Sequence, residues 1–259
     1  MKIVVFGAGN MGAWFVESLC LDHDVAVYDL DKARMRYFYN ARKFITLSEV
    51  AAFQPDMMIN AVSLQHTIKA FDQVIPYLPA DCIITDITSV KTGLREYYEQ
   101  RGMRYVSTHP MFGPTFANVR SNDMSTENAI IIEEGDEEGK KFFHDFYSSL
   151  KLNIYEYSFR VHDQMIAYSL SVPFASTLVF ASCMKKLDAP GTTFKKHMII
   201  AKGLMSENDY LLSEILFNPF TLEQLDKISH QLDHLRELVK EHNTEELHEF
   251  IAKVRKNIE

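Results

Sequence analysis

Through the first 155 or so residues, short apolar runs alternate with longer amphipathic stretches. Seven runs read as strands: Lys2–Phe6, Asp24–Tyr28, Met57–Asn60, Cys82–Thr85, Arg104–Ser107, Ala129–Ile132 and Leu152–Tyr155. Several, such as IVVF and MMIN, are continuously apolar instead of alternating, as strands buried on both faces are. Stretches of helical length, for example Met11–Leu21 and Leu64–Tyr77, lie between most of them. Strand and helix in alternation predict right-handed βαβ units and a mainly parallel sheet.

Beyond Tyr157 the strand pattern stops. Residues 162–186, 191–204, 207–217, 221–241 and 244–257 read as helices, separated by Asp188-Ala189-Pro190-Gly191, Ser206, Asn218-Pro219 and Asn243-Thr244. Thr221 with Gln224 fits a capping box and Thr244 an N-cap. Two domains are expected, 1–157 built on the sheet and 158–259 all helical. The stretch MIAYSLSVPFASTLVFASCM is apolar almost all round, which requires burial on more than one side, so the helical domain is expected to form a homodimer.

Composition narrows the class. The 259 residues are 47% hydrophobic and 24% charged, the mix of a soluble globular protein. The net charge of −8 argues against a nucleic-acid partner, which needs a basic face. Cys20, Cys82 and Cys183 form no CxxC pair and predict neither a disulfide framework nor a metal site. MKIVVFGAGNMG shows no secretory leader, and no uninterrupted apolar run approaches the ~20 residues of a membrane span. A cytoplasmic protein with no membrane partner is expected.

Gly7-Ala8-Gly9-Asn10-Met11-Gly12 directly follows the first strand and opens a helix. In a GxGxxG turn the first glycine permits the tight bend and the second lets backbone approach a pyrophosphate. The third allows close packing, and the helix N-terminus faces the phosphates. VAVYD, a second strand, ends in Asp29, placed to accept hydrogen bonds from ribose hydroxyls and to repel a 2′-phosphate. These residues predict a Rossmann-type doubly wound domain that binds NAD. Lys32 and Arg34, nearby, could instead meet a 2′-phosphate. Asn60-Ala61-Val62-Ser63, after the strand at 57–60, is either a further cofactor contact through Ser63 or simply a polar strand end.

Two segments follow strands at the edge where open α/β sheets bind ligands: Thr85-Asp86-Ile87-Thr88-Ser89-Val90-Lys91 and Ser107-Thr108-His109-Pro110-Met111-Phe112-Gly113-Pro114. Removing hydride from a carbinol carbon also requires loss of the hydroxyl proton, and a neutral imidazole is the usual acceptor near pH 7. His109 is therefore the candidate base, and Ser89 could orient it or hydrogen-bond the substrate. His162-Asp163 either caps a helix or places His162 near the substrate entrance. No HExxH motif is present, and no metal is expected. Between Tyr157 and Ser206 six cations (Arg160, Lys185, Lys186, Lys195, Lys196, Lys202) face two acids, Asp163 and Asp188. A local positive field of this kind concentrates an anionic substrate.

The glycine turn, DITSVK and HPMFGP together resemble the prephenate dehydrogenase family, and the segments from His162 to Tyr168 and Asn208 to Ile215 resemble its helical domain. The resemblance runs from Met1 to about Leu216. It implies oxidative decarboxylation of prephenate to 4-hydroxyphenylpyruvate, a step towards tyrosine, with His109 acting on the ring hydroxyl and Ser89 as its partner. It also implies cations for the substrate's two carboxylates, and a dimer through the helical domain. The chain departs from the family in two places. Phe194-Lys195-Lys196-His197 stands where an arginine is usual, leaving Lys195, with Lys196 beside it, as the carboxylate ligand; Phe174 stands where a histidine is usual. Arogenate is the alternative substrate. Reductases of the β-hydroxyacid or pyrroline-carboxylate type, or a non-catalytic dinucleotide sensor, are the alternative functions. No regulatory domain after Glu259 and no chorismate mutase segment before Met1 is expected, so any feedback by tyrosine would act at the active site.

Overall fold

The computed structural model describes residues 1–113, 124–185 and 187–258, so Pro114 and Lys186 lie outside the described residues. An eight-stranded sheet has the order β3-β2-β1-β4-β5-β6-β7-β8. Its strands are β1 (Lys2–Phe6), β2 (Asp24–Tyr28), β3 (Arg42–Phe44), β4 (Met57–Asn60), β5 (Ile83–Asp86), β6 (Tyr105–Pro110), β7 (Asn128–Ile132) and β8 (Asn153–Tyr157). All neighbours are parallel except β6 and β7. This is the expected Rossmann-type sheet. β1 has β2 on one side and β4 on the other, so chain direction across the sheet reverses between β1 and β4, where such sheets bind their ligands.

The central strands form because their residues are apolar on both faces: Ile3, Val4, Val5, Met57, Met58 and Ile59 are all buried. Helix α1 (Asn10–Leu19) packs Phe15 and Leu19 into this core, and the helix Glu137–Ser149 adds Phe143 and Tyr147. The edge strand β3, RKF, is not among the expected strands, since only Phe44 of its three residues is buried. β6 is longer than expected. Antiparallel pairing of Thr108, His109 and Pro110 with Ile131, Ile130 and Ala129 extends it, so His109 stands within the strand and not just after it.

The chain divides into two compact units, Met1–Asp163 and Gln164–Glu259. The boundary falls within the long helix, which carries a π-helical turn at Ala167–Ser171 between Phe159–Ile166 and Val172–Ser182. Helices Thr192–Leu204, Asp209–Leu216, Thr221–Glu241 and Thr244–Lys256 follow. The expected capping box at Thr221 is not formed. That hydroxyl donates to Ser171 Oγ at 2.9 Å, and Asn218 Oδ1 takes the Phe220 N–H instead. Asn243, one residue earlier than Thr244, caps the last helix by accepting from Glu246 N.

A longer apolar helix exists than the count of uninterrupted runs implied. Phe159–Ser182 spans 24 residues with mean hydropathy 1.5 in its apolar window, enough by length and composition to cross a membrane, and only 17% of that window is buried. Serines, threonine and tyrosine interrupt the apolar run in sequence without making the helix polar. None of the residues of Val172–Ser182 is buried in the single chain.

Candidate active site

The glycine turn is fixed by close approach. Gly7 has φ +95°, and a Cβ there would stand 2.7 Å from the Ala61 carbonyl oxygen; at Gly12 it would stand 1.8 Å from that of Gly7. The first and third glycines thus let the turn fold onto the loop after β4 and onto itself. Gly9 differs, since a Cβ there would meet no protein atom within 4 Å. Its open side borders a cavity of about 480 Å³ lined by Ala8, Gly9, Asn10 and Arg34. Gly9 caps α1 with no side-chain hydrogen bond, which leaves the helix's first N–H groups for a ligand, as an anion-binding helix start requires. The turn and cavity fit a dinucleotide's phosphates.

Asp29 is tied into this turn. Its Oδ2 accepts from Ala8 N and its Oδ1 from Asp31 N, both at 2.7 Å. The carboxylate is therefore held beside the phosphate loop with lone pairs left for a ribose. Arg34 lines the cavity and lies 3.6 Å from Asp31. Met11 is half-buried against the core, while Asn10 and Ser63 are exposed. Asn60 is a structural residue of the β4 end: its amide donates to Thr67 O at 2.9 Å and accepts from Val62 N at 3.4 Å.

The second cluster sits on β5 and β6. Lys91 and Asp86 form a fully buried ion pair at 2.5 Å. Asp86 also accepts from Tyr98 Oη at 2.7 Å and Thr88 N at 3.1 Å, and Lys91 donates to Thr108 O at 2.7 Å. Burial would raise the Asp86 carboxyl; the Lys91 charge and the hydrogen bonds the carboxylate accepts together outweigh it and hold the group below its ordinary value. Thr108 Oγ1 donates to Ile130 O at 2.7 Å, so the Tyr147 hydroxyl, 3.0 Å away, is the donor to Thr108. These bonds clamp the backbone of β6 one residue before His109. The sequence reading gave Asp86, Lys91 and Tyr98 no role.

His109 Nδ1 lies 3.1 Å from His162 Nε2, and His162 Nδ1 lies 3.1 Å from Asp163 Oδ1. His162 is fully buried, with one ring nitrogen against His109 and the other against Asp163. Burial holds His109 well below the ordinary histidine value, and the neighbouring His162 and Lys91 add to the depression. Burial also lowers His162, against the pull of Asp163. Both imidazoles are thus neutral near pH 7, and His109 Nε2 has no hydrogen-bond partner among the described residues. A neutral ring with one nitrogen held and the other free can take a proton.

Ser89 is half-buried and makes no hydrogen bond to His109 among the described residues. Lys195 and Lys196 are exposed on the helix Thr192–Leu204 of the second unit, and Phe174 is half-buried on the long helix. His230 and His234 are spaced one turn apart on Thr221–Glu241, yet no group of three metal-ligating side chains exists among the described residues.

Comparison with known proteins adds a family. Residues 18–151, just over half of the chain, match the sequence model described as "Prephenate dehydrogenase, nucleotide-binding domain". A protein of Methanocaldococcus jannaschii described as "Probable arogenate/prephenate dehydrogenase" is 23% identical over 93% of this chain, which spans 57% of that relative's length. Among solved structures, Synechocystis arogenate dehydrogenase superposes with a TM-score of 0.81 at 20% identity, covering 99% of this chain and 98% of that one. Prephenate dehydrogenase from A. aeolicus, in complex with hydroxyphenyl propionate and NAD+, gives 0.83 at 20% identity, covering 100% and 98%. At these identities the structures speak for the fold alone.

Proposed function

The chain belongs to the prephenate dehydrogenase family, and from that premise we propose that it converts prephenate to 4-hydroxyphenylpyruvate with NAD as cofactor. The observation that supports this most directly is the neutral His109, with Nδ1 held and Nε2 without a partner among the described residues, in a nucleotide-binding sheet. Bound NAD supplies the hydride acceptor. His109 Nε2 takes the ring hydroxyl's proton as the carbinol carbon is oxidised, and returns it to the phenolate oxygen once the ring carboxylate has left as CO2. Aromatisation drives that last loss. Ser89, on the half-buried stretch after β5, is the hydrogen-bonding partner for the same hydroxyl. Asp29 favours NAD by offering lone pairs to the ribose and repelling a 2′-phosphate. Lys195, with Lys196 next to it, supplies the charge for substrate carboxylates; it does so as a point charge, without an arginine's planar fork.

The helical unit is proposed to pair with a second copy. Val172–Ser182 is apolar and has no buried residue, and Tyr168, Ile199 and Ile200 are exposed beside it in sequence or in the next helix. A second copy covers this surface and removes the need for a membrane. In this reading the protein is a cytoplasmic homodimer of tyrosine biosynthesis.

The test is NADH or NADPH formation by the purified protein with prephenate or arogenate, each with NAD or NADP. Turnover of prephenate with NAD is expected. Activity with arogenate alone would keep the base and change the substrate. No turnover in any combination, by folded protein that binds NADH, would overturn the proposal in favour of a dinucleotide sensor.

A further inference from the structure

We propose that His162 and Asp163 are positioning residues that hold His109 in the tautomer whose unprotonated nitrogen is Nε2. The inference rests on the reading of His109 as the base, and goes beyond it by saying why that nitrogen is the basic one. The argument is one of donors and acceptors. An ionised Asp163 can only accept, so His162 Nδ1, 3.1 Å from its Oδ1, carries a hydrogen. A neutral His162 then has only a lone pair at Nε2, so the hydrogen between the two rings, 3.1 Å apart, sits on His109 Nδ1. A neutral His109 with its hydrogen on Nδ1 has its lone pair on Nε2. Each bond leaves the next ring one choice.

The surroundings keep the chain in this state. His162 is fully buried, so water does not compete for its nitrogens. The ring planes are inclined at 65° with centroids 5.3 Å apart, and the two facing nitrogens stand at hydrogen-bond distance. Lys91, paired with Asp86, is the nearby full positive charge and opposes a second one on either imidazole. Asp163 is the acid that faces His162 directly, and it also draws on Lys91. Without this chain an imidazole is free to place its hydrogen on Nε2, which would turn the acceptor of the substrate's proton into a donor.

The test separates tautomer control from packing. Nitrogen-15 spectra of the imidazoles in the wild-type protein without substrate, with His109 assigned by its loss in His109→Asn, should show its hydrogen on Nδ1. In His162→Leu the hydrogen should redistribute toward Nε2, and kcat should fall by about 100-fold with KM for NAD unchanged. His162→Gln, whose amide oxygen can accept from His109 Nδ1, should regain at least about tenfold of that loss. The proposal is overturned if wild-type His109 carries its hydrogen on Nε2, if His162→Leu keeps wild-type kcat, or if the Gln and Leu variants are equally impaired. The spectrum needs no turnover, so a protein inactive on every substrate could still show the Nδ1 tautomer.

Discussion

The two units of this chain differ most in whether they bury charge and in how much of their long helices they leave exposed. The sheet unit takes charges and polar groups inside: Asp86, Lys91, His109 and His162 are all buried, and each is bonded to a neighbour. The helical unit leaves apolar groups outside, with Val179, Ile199 and Phe217 among its exposed side chains. Burying ions is costly unless they are paired, so the first pattern persists where position and protonation matter. An exposed apolar helix is costly until something covers it, so the second pattern supports the proposed pairing with a second copy.

The largest expected effect breaks the first half of this contrast. His109→Asn should cut kcat by about 100-fold or more, measured with saturating cofactor, while leaving dinucleotide binding in place. Next comes Asp86→Asn, which strands the Lys91 ammonium in the core. It should cost about 3–5 kcal/mol in denaturant unfolding, and a loss below ~1 kcal/mol would show that the pair is not needed to clamp β6. On the helical side, Val179→Glu places a charge on the exposed apolar face and should shift sedimentation toward monomer with the sheet unit still folded. A dimer of undiminished strength would move the interface elsewhere. The smallest effect is at Lys195, where Lys195→Ala should raise KM for substrate on the order of tenfold and spare kcat, as loss of uniform binding does.

Much of the sheet unit was readable because its signals are local. Lys2–Phe6, Asp24–Tyr28 and Met57–Asn60 are apolar on both faces and appear in the structure with those limits. β3 escaped because a three-residue edge strand with Arg42 and Lys43 exposed carries no such pattern. The glycine turn announced itself by spacing, although the reason for Gly7 and Gly12, contact with Ala61 and with the turn itself, is tertiary. The π-turn at Ala167–Ser171 has no periodicity to betray it, since its neighbours are helical too. His162 is the instructive case. As part of an HD pair it read as a cap or a substrate contact, and only the fold brings it to His109, 53 residues away in sequence. The buried Lys91–Asp86 pair was likewise hidden, because nothing in a sequence distinguishes a solvated lysine from one with no exposed side chain.

The central claim is that a neutral His109 is the base, and the pH dependence of kcat/KM tests it most directly. A histidine held below 6.5 stays unprotonated as pH falls through that value, so activity should persist there and be lost only at lower pH. His162, which burial lowers in the same direction, and the paired Lys91 and Asp86 are other ionisable groups around it, so the limb is assigned to His109 by its loss in His109→Asn. The prediction is an acid limb below pH 6.5 in the wild type that is absent from the residual activity of His109→Asn. An acid limb above that pH, or the same limb in both proteins, would contradict the account.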